Sequence, residues 1–271
     1  MKDIITIKLS TAGGGKPFIK QLPGMKPVWG NCEFVINEDI PQSDLWVVYG
    51  GLGKVEQTSC PPGNTLFITN EPPSVKRYDT KFLRQFDTVM TCKQRIRHPN
   101  VIFNQQALPW WVGHKVLPDG SDDTAYHKTY DELKAINSVP KTKLISVISS
   151  NKTFTRGHRE RVAFVEKLKE AFGEDIDVFG IGSRPIEDKW DAIAPYKYHI
   201  VIENTDQYED CWTEKLADAY LAQSFPIYHG CPNLSTYFPS NAFASINIRK
   251  PEEAIACIKK VIAQKQYEEY L

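Results

Sequence analysis

Short apolar runs alternate with helix-forming segments throughout the second half of this chain. The runs have the length of buried strands, and Val162, Val165 and Leu168 recur at helical spacing in the first intervening segment. Strands are expected at residues 144–148, 176–179, 198–202, 225–228 and 243–246, and helices at 156–171, 186–194, 213–222 and 251–263. Strands alternating with helices form βαβ units, so the sequence predicts a parallel sheet in a Rossmann-like domain.

The first half holds similar apolar runs at less regular spacing. Strands are expected at residues 4–9, 32–36, 45–49, 65–69, 88–91 and 101–103, and helices at 74–86 and 126–136. A turn-forming, acidic stretch at residues 117–123 interrupts the pattern before the second of these helices. The predicted fold class is α/β, with two Rossmann-like domains facing each other across a cleft. The predicted domains are residues 1–140 and 141–271.

The composition excludes some classes of protein. Among 271 residues, 33 basic side chains balance 33 acidic ones, whereas proteins that bind nucleic acid usually carry a basic excess. The six cysteines include no CxxC pair, which favours a reducing compartment. No signal peptide and no apolar run of about 18 residues is present. We therefore expect a cytoplasmic protein with no nucleic-acid partner and no transmembrane segment.

The expected strand at 198–202 is followed by residues suited to a phosphorylated ligand. Glu203 and Asn204 stand at its carboxyl end, where ligands of open α/β sheets bind. A helix is then expected to begin near Thr213, with Glu214 and Lys215 in its first turn. A helix N-terminus and a lysine suit a diphosphate, and a carboxylate such as Glu214 suits ribose hydroxyls. The alternative is that Glu214 only complements the helix dipole.

The residue identities in this region are more specific than their spacing. The stretches are YKYHIVIENT at 196–205, WTEKL at 212–216 and FPIYHG at 225–230. Together they closely resemble the donor-binding signature of the α-1,3-fucosyltransferase family, glycosyltransferase family 10, and the similarity continues through residues 238–243. The resemblance implies a GT-B-like fold, in which residues 1–140 bind the acceptor and residues 141–271 bind the nucleotide-sugar.

Upstream residues match the same family. Asn151 matches the asparagine of an SN pair that ends a strand, and Arg161 matches the arginine that holds the donor pyrophosphate. Arg156 and Arg159 are alternatives for that role. Glu71, after the expected strand at 65–69, is similar to the family's proposed general base. The donor-binding residues implied by the resemblance are Arg161, Asn151, Glu203, Asn204, Trp212, Thr213, Glu214 and Lys215.

These residues imply an inverting, metal-independent transferase. Fucose would pass from GDP-fucose to a hydroxyl of a glycan that contains N-acetylglucosamine or glucose. GDP-fucose is then the donor substrate, and no cofactor is required. Cys211 and Trp212 depart from the family pattern, so a different nucleotide-sugar is an alternative. A non-catalytic module that binds glycans or nucleotides is another, whereas the lack of a GxGxxG motif disfavours a dinucleotide-dependent oxidoreductase.

Four further signals favour structural interpretations. Asp175 and Asp177 fit a DxD metal motif, but they lie at the start of a strand. His229 and Cys231 are too few for a metal site. The glycine-rich stretch at residues 50–54 lacks the Ser/Thr that follows the lysine of a phosphate loop, and it is expected to be a tight turn on the acceptor side. The tryptophans at residues 110 and 111 suit either stacking on a sugar or packing between domains.

Overall fold

The computed structural model describes residues 3–71, 76–117, 121 and 128–270. Most of the expected turn at 117–123, the first residues of the expected helix at 126–136 and part of the expected helix at 74–86 lie outside these residues. Within the described residues, strands lie at β1 (Ile5–Thr11), β2 (Val28–Trp29), β3 (Cys32–Ile36), β4 (Leu45–Tyr49), β5 (Thr65–Ile68), β6 (Thr88–Thr91), β7 (Val101–Phe103), β8 (Lys143–Ile148), β9 (Ile176–Phe179), β10 (Tyr196–Ile202), β11 (Phe225–His229) and β12 (Ala244–Ser245).

The α-helices of the described residues are α1 (Lys16–Ile19), α2 (Thr80–Leu83), α3 (Tyr130–Ala135), α4 (Arg156–Phe172), α5 (Lys189–Ile193), α6 (Glu214–Leu221), α7 (Pro251–Ala263) and α8 (Gln266–Tyr270). None of the helices in these ranges is both long and apolar enough to cross a lipid bilayer. The chain divides into two compact units. The first is Met1–Pro109 with Thr129–Asp131, and the second is Trp110–Lys128 with Glu132–Leu271.

The first unit is built on a seven-stranded sheet in the order β2-β3-β1-β4-β5-β6-β7. Its strands are parallel except for the β2–β3 pair. Alternate residues enter different cores, as a strand requires: Val47 packs with Leu9 on one face, and Val48 packs with Phe67 on the other. The fully buried Lys8 is stabilised by Glu56, whose Oε2 lies 3.1 Å from its Nζ.

The second unit is built on a five-stranded parallel sheet in the order β12-β11-β10-β8-β9. The core on one face joins the strands to α4 and α7 through buried side chains: Ile145, Val147, Phe164, Val165, Leu168, Ile200, Ile227, Ile258 and Val261. Both units are therefore parallel α/β sheets of the Rossmann type, as the sequence predicts.

The boundary between the units differs from the predicted division after residue 140. The segment that begins at Trp110 belongs to the C-terminal unit, where two buried carboxylates bind its backbone. Asp218 Oδ1 accepts hydrogen bonds from the amides of Trp111 and Val112 at 2.7 and 3.0 Å. Asp188 Oδ1 accepts one from Gly113 at 2.8 Å. These partners are far apart in sequence, so local patterns do not predict the attachment.

The predicted elements agree well with the observed ones in most of the chain. Every expected strand overlaps an observed strand with ends that differ by no more than two residues. The expected helix at 74–86 is wrong in length, because only Thr80–Leu83 is helical among its described residues. Asp79 caps the start of this short helix. Beyond its end the chain forms tighter turns, with hydrogen bonds between residues three apart, such as that from the Phe86 N–H to the Leu83 carbonyl. The two-residue strand β2 was not predicted, since two residues are too few for a periodic pattern.

Lys141 joins the ends of two helices in the C-terminal unit. Its Nζ donates to the carbonyl oxygens of Ala194 and Ala222, the C-caps of α5 and α6, and lies 3.0 Å from Ser224 Oγ. Burial lowers the pKa of Lys141 to about 7, and its protonated form is favourable at the negative end of a helix dipole. Lys141 therefore stabilises the C-terminal ends of both helices.

Replacing Lys141 by methionine is expected to lower the free energy of unfolding by about 2 kcal/mol, since two carbonyls lose their partner. Chemical denaturation of both proteins measures the difference. The matched control is Lys143→Met, because Lys143 is half exposed and pairs with Asp177 at the surface. That pair is expected to contribute less than about 1 kcal/mol. Equal losses for the two variants would contradict the role of Lys141.

Candidate functional site

The topology of the C-terminal sheet places a crevice between β8 and β10. These two strands are neighbours, but β8 continues through α4 to β9 on one side and β10 continues through α6 to β11 on the other. The loops that follow them therefore diverge, and ligands of open α/β sheets bind at such a switch point. Ser150 and Asn151 follow β8, and Glu203 and Asn204 follow β10. The sequence predicted three of these four residues as donor-binding.

Arg161 links both sides of this crevice from α4. Its Nη1 donates to Asn204 Oδ1 at 3.0 Å, and its Nη2 donates to the carbonyl oxygen and Oγ of Ser150 at 3.2 and 3.0 Å. Arg161 is only 6% exposed, and its Nε has no hydrogen-bond partner in the described residues. Burial lowers the pKa of Arg161.

The charge of Arg161 is uncompensated. Within the part of the chain that the structure describes, no carboxylate forms a salt bridge with its guanidinium. Burying an unpaired charge is unfavourable by several kcal/mol. A buried cation of this kind is electrostatically suited to an anionic ligand, and a guanidinium fork matches two phosphate oxygens.

More positive charge surrounds the first turn of α4. Thr155 caps this helix, and its side chain accepts a hydrogen bond from the backbone N–H of His158. Burial and the positive charges of Arg161, Lys152 and Lys215 lower the pKa of His158. These three cations are therefore close enough to act on one side chain. The N-terminal end of the α4 dipole adds to the positive potential there.

Gly157 allows the loop after β10 to lie directly on α4. A Cβ atom at this position would be 2.1 Å from the backbone oxygen of Asn204. That oxygen belongs to the backbone, so a rotamer change does not relieve the overlap. The close approach keeps Asn204 within hydrogen-bonding distance of Arg161.

We expect Gly157→Ala to destabilise the protein and weaken its anion site. Alanine in a helix is favoured over glycine by about 0.5–1 kcal/mol, but overpacking of this kind is unfavourable by about 1–3 kcal/mol. The net loss is measured by thermal unfolding with and without a nucleotide. Gly14→Ala is the control, because a Cβ atom there meets no atom within 4 Å. A Gly157→Ala protein at least as stable as the unmodified chain would contradict this packing.

Glu203 holds the start of α6 in place. Its Oε1 accepts hydrogen bonds from the backbone N–H and Oγ1 of Thr213 at 2.9 and 2.8 Å. The carboxylate is 3% exposed, and its Oε2 lies 3.0 Å from Lys215 Nζ. Gly230 permits this arrangement, since a Cβ atom there would lie 2.6 Å from Glu203 Cγ. The structure thus gives Glu203 its partners within the protein, Thr213 and Lys215.

Lys215 lies between two carboxylates. Besides Glu203, its Nζ is 3.3 Å from Glu214 Oε1. Burial lowers the pKa of Lys215, but the two carboxylates raise it by more, so it lies above its ordinary value. Burial raises the pKa of Glu214, but Lys215 and Lys189 lower it by more. Both side chains are therefore charged at neutral pH, and Lys215 remains 27% exposed.

Three other predicted positions have less direct connections to the crevice. The Asn151 amide donates to the Ile181 carbonyl at 3.0 Å, and its side chain is exposed beside Gly182. The Trp212 ring packs edge-on against Phe238, with centroids 5.2 Å apart, in the cluster that contains Leu216. Trp212 is thus largely a packing residue. Glu214 lies in the first turn of α6, where it complements the helix dipole.

Glu71 belongs to the N-terminal unit. It follows β5, three residues after Ile68, at the carboxyl edge of the parallel sheet, and is half-buried. The Tyr78 hydroxyl donates to Asn70 Oδ1 at 2.7 Å next to it. Burial raises the pKa of Tyr78 to about 12, and the negative charge of Glu71 acts in the same direction. Tyr78 therefore stays neutral and holds the residue that precedes Glu71.

The signals given structural interpretations occupy ordinary structural positions. Asp177 is bonded to Lys143, Arg184 and Tyr196. His229 Nδ1 lies 3.1 Å from the Ile246 carbonyl, and the described residues contain no group of three or more metal-ligating side chains. Trp110 packs beside Val112 and Ile193 within the C-terminal unit.

Sequence reasoning missed several contributors to the crevice. Lys152 and His158 follow the predicted Asn151 in the next loop and in the first turn of α4. Only the structure shows that they share their surroundings with Arg161 and Lys215. Gly157 gave no signal, because the backbone that it accommodates is 47 residues away. Gly230, by contrast, is part of the FPIYHG stretch, so the sequence pattern included it. Only the structure shows why a glycine is needed there.

Known proteins resemble this chain in sequence and in fold. A stretch of 75 residues is 33% identical to alpha-(1,3)-fucosyltransferase FucT of Helicobacter pylori, and it covers 27% of this chain but only 16% of that protein. A solved alpha1,3-fucosyltransferase structure with GDP-fucose matches at a TM-score of 0.56 and 19% identity, covering 100% of this chain and 82% of the other. One with GDP matches at 0.57 and 18%, covering 99% and 81%.

At these identities the structural likeness establishes the fold, which is a GT-B-like α/β arrangement of Rossmann-like domains. The family is established by sequence. Residues 138–271 match the model of glycosyltransferase family 10 (fucosyltransferase) C-term. This range contains β8, β10, Arg161 and the whole segment from Glu203 to Lys215. This C-terminal domain, just under half of the 271 residues, belongs to glycosyltransferase family 10.

Proposed function

We propose that this protein transfers fucose from GDP-fucose to a hydroxyl of a glycan that contains N-acetylglucosamine or glucose. The observation that carries the proposal is the buried guanidinium of Arg161 at the switch point, which forms no salt bridge with any carboxylate of the described residues. A diphosphate supplies this guanidinium with the negative charge that no carboxylate of the described residues gives it. Fucose as the transferred sugar is supported by the family match and by the relatives that are named fucosyltransferases.

In the proposed reaction, positive charge stabilises the departing GDP. Arg161 and Lys215 contact the diphosphate, and the N-terminal end of α4 adds its dipole. Because these groups already neutralise a leaving diphosphate, we expect turnover without an added metal ion. Thr213 and Glu214 border the same ligand at the start of α6. Glu203 keeps Thr213 and Lys215 in position.

Glu71 is the proposed general base. It accepts the proton of the acceptor hydroxyl while that oxygen attacks the anomeric carbon from the face opposite to GDP. The sugar is thereby transferred with inversion. The N-terminal unit, which carries Glu71, is the proposed acceptor-binding domain.

Calorimetry and a coupled assay for released GDP test this function. Purified protein is titrated with GDP-fucose, GDP-mannose and UDP-sugars, and then incubated with GDP-fucose and a panel of glycans ending in N-acetylglucosamine or glucose. We expect the tightest binding for GDP-fucose and release of GDP that depends on an acceptor. Preference for another donor would change the assigned sugar, and binding without release with any acceptor would indicate a binding module.

A further inference from the structure

Arg249 connects the loop that follows β12 to the acidic loop that follows β10. Its Nη1 and Nη2 donate to the two carboxylate oxygens of Asp206 at 2.7 and 2.5 Å. This is the bidentate geometry in which a guanidinium and a carboxylate interact most strongly. Asp206 lies two residues after Asn204, the partner of Arg161. Arg249 thus binds the loop that follows Asn204, next to the crevice.

The same arginine also binds α4. Arg249 Nε donates to Glu160 Oε2 at 3.0 Å, while Arg156 Nε donates to Glu160 Oε1 at 2.6 Å. Asp206 and Glu160 raise the pKa of Arg249, and Arg249 lowers the pKa of both carboxylates against the effect of burial. The loop is therefore fastened to α4 at a second point, beyond the contact between Gly157 and Asn204.

This cluster differs from an ordinary surface ion pair in geometry and place. Exposed pairs usually contribute about 0–1 kcal/mol to stability. Here all three guanidinium nitrogens are used, and the side chains of Arg249, Asp206 and Glu160 are 35%, 21% and 20% exposed. Without Arg249, two carboxylates next to the cationic crevice would oppose a bound diphosphate.

We infer that Arg249 is a positioning residue for the nucleoside diphosphate of the donor. It holds residues 205–210 against α4 through Asp206 and Glu160, so the loop is already ordered when the nucleotide arrives. It also neutralises two carboxylates near the phosphates. A loop that is ordered before binding increases affinity, because the unfavourable free energy of ordering it no longer reduces the free energy of binding. The inference rests on the proposed donor site.

Titration of GDP into the protein and its variants by calorimetry tests this role. We expect Arg249→Gln to weaken GDP binding by about tenfold, and Arg249→Lys to fall between that variant and the unmodified protein. Asp206→Asn is expected to weaken binding similarly, and the double variant no further, because the two residues act as a unit. Turnover should show a raised donor KM and a kcat within about twofold of the unmodified protein.

Arg184→Gln is the matched control, since Arg184 pairs with Asp177 elsewhere in the same unit. It should leave GDP binding unchanged and shift the melting temperature about as much as Arg249→Gln does. If the unmodified protein binds GDP and Arg249→Gln binds it within twofold, the positioning role is overturned and the donor site stands. If the unmodified protein binds no GDP, the donor site and this inference both fail.

Discussion

Replacing Glu71 by glutamine is expected to lower turnover by about 100- to 10,000-fold, the usual contribution of a general base. Glutamine keeps the size of the side chain but accepts no proton near neutral pH. The affinity for GDP should remain within about twofold, because the cations proposed to hold the diphosphate belong to the C-terminal unit. A coupled assay for released GDP measures turnover, and calorimetry measures affinity.

Glu38→Gln is the control for this experiment. Glu38 follows β3, which is parallel to β1, and so it stands at the same edge of the same sheet as Glu71. It should retain nearly full turnover. A Glu71→Gln variant with more than a tenth of the unmodified turnover would show that another group accepts the proton.

The sequence predicted regular elements far better than contacts between distant residues. Strands β8 and β10 were visible because their runs are mostly apolar, interrupted by Ser146 and His199, as expected for strands covered on both faces. Helix α4 was visible because Val165 and Leu168 repeat along its buried face. These signals are local. The domain boundary is not local, since it depends on Asp218 binding the Val112 amide, 106 residues away, and on Asp188 binding the Gly113 amide, 75 residues away.

The site shows the same division. Arg161 was identified through the family resemblance, whereas Lys215 was also indicated by its place in the first turn of the expected helix. That Arg161 is buried without a carboxylate partner is a property of the fold, and this property supports a role with an anion. Glu203 was expected to contact the donor, yet its carboxylate is buried among Thr213 and Lys215. A motif identifies which residues matter, whereas their contacts decide how they act.

Replacing Arg161 by methionine is expected to separate stability from function. The variant loses hydrogen bonds to Ser150 and Asn204, each worth about 1.5–3 kcal/mol with a charged donor. It also removes a buried, unpaired charge, whose desolvation is unfavourable by several kcal/mol. These effects nearly cancel, so the melting temperature without ligand should change little or rise.

Function should respond very differently to the same substitution. Loss of a preorganised donor to developing negative charge lowers rates by about 100- to 1,000-fold, and kcat/KM for the donor should fall by that factor. The rise in melting temperature that GDP produces in the unmodified protein should disappear. Arg159→Ala is the control, since the side chain of this exposed neighbour on α4 donates, within the described residues, to the Thr153 carbonyl alone. If Arg159→Ala abolishes the GDP effect and Arg161→Met preserves it, then Arg159 holds the diphosphate instead. Both arginines lie in the first two turns of α4, so the pair of variants decides between them.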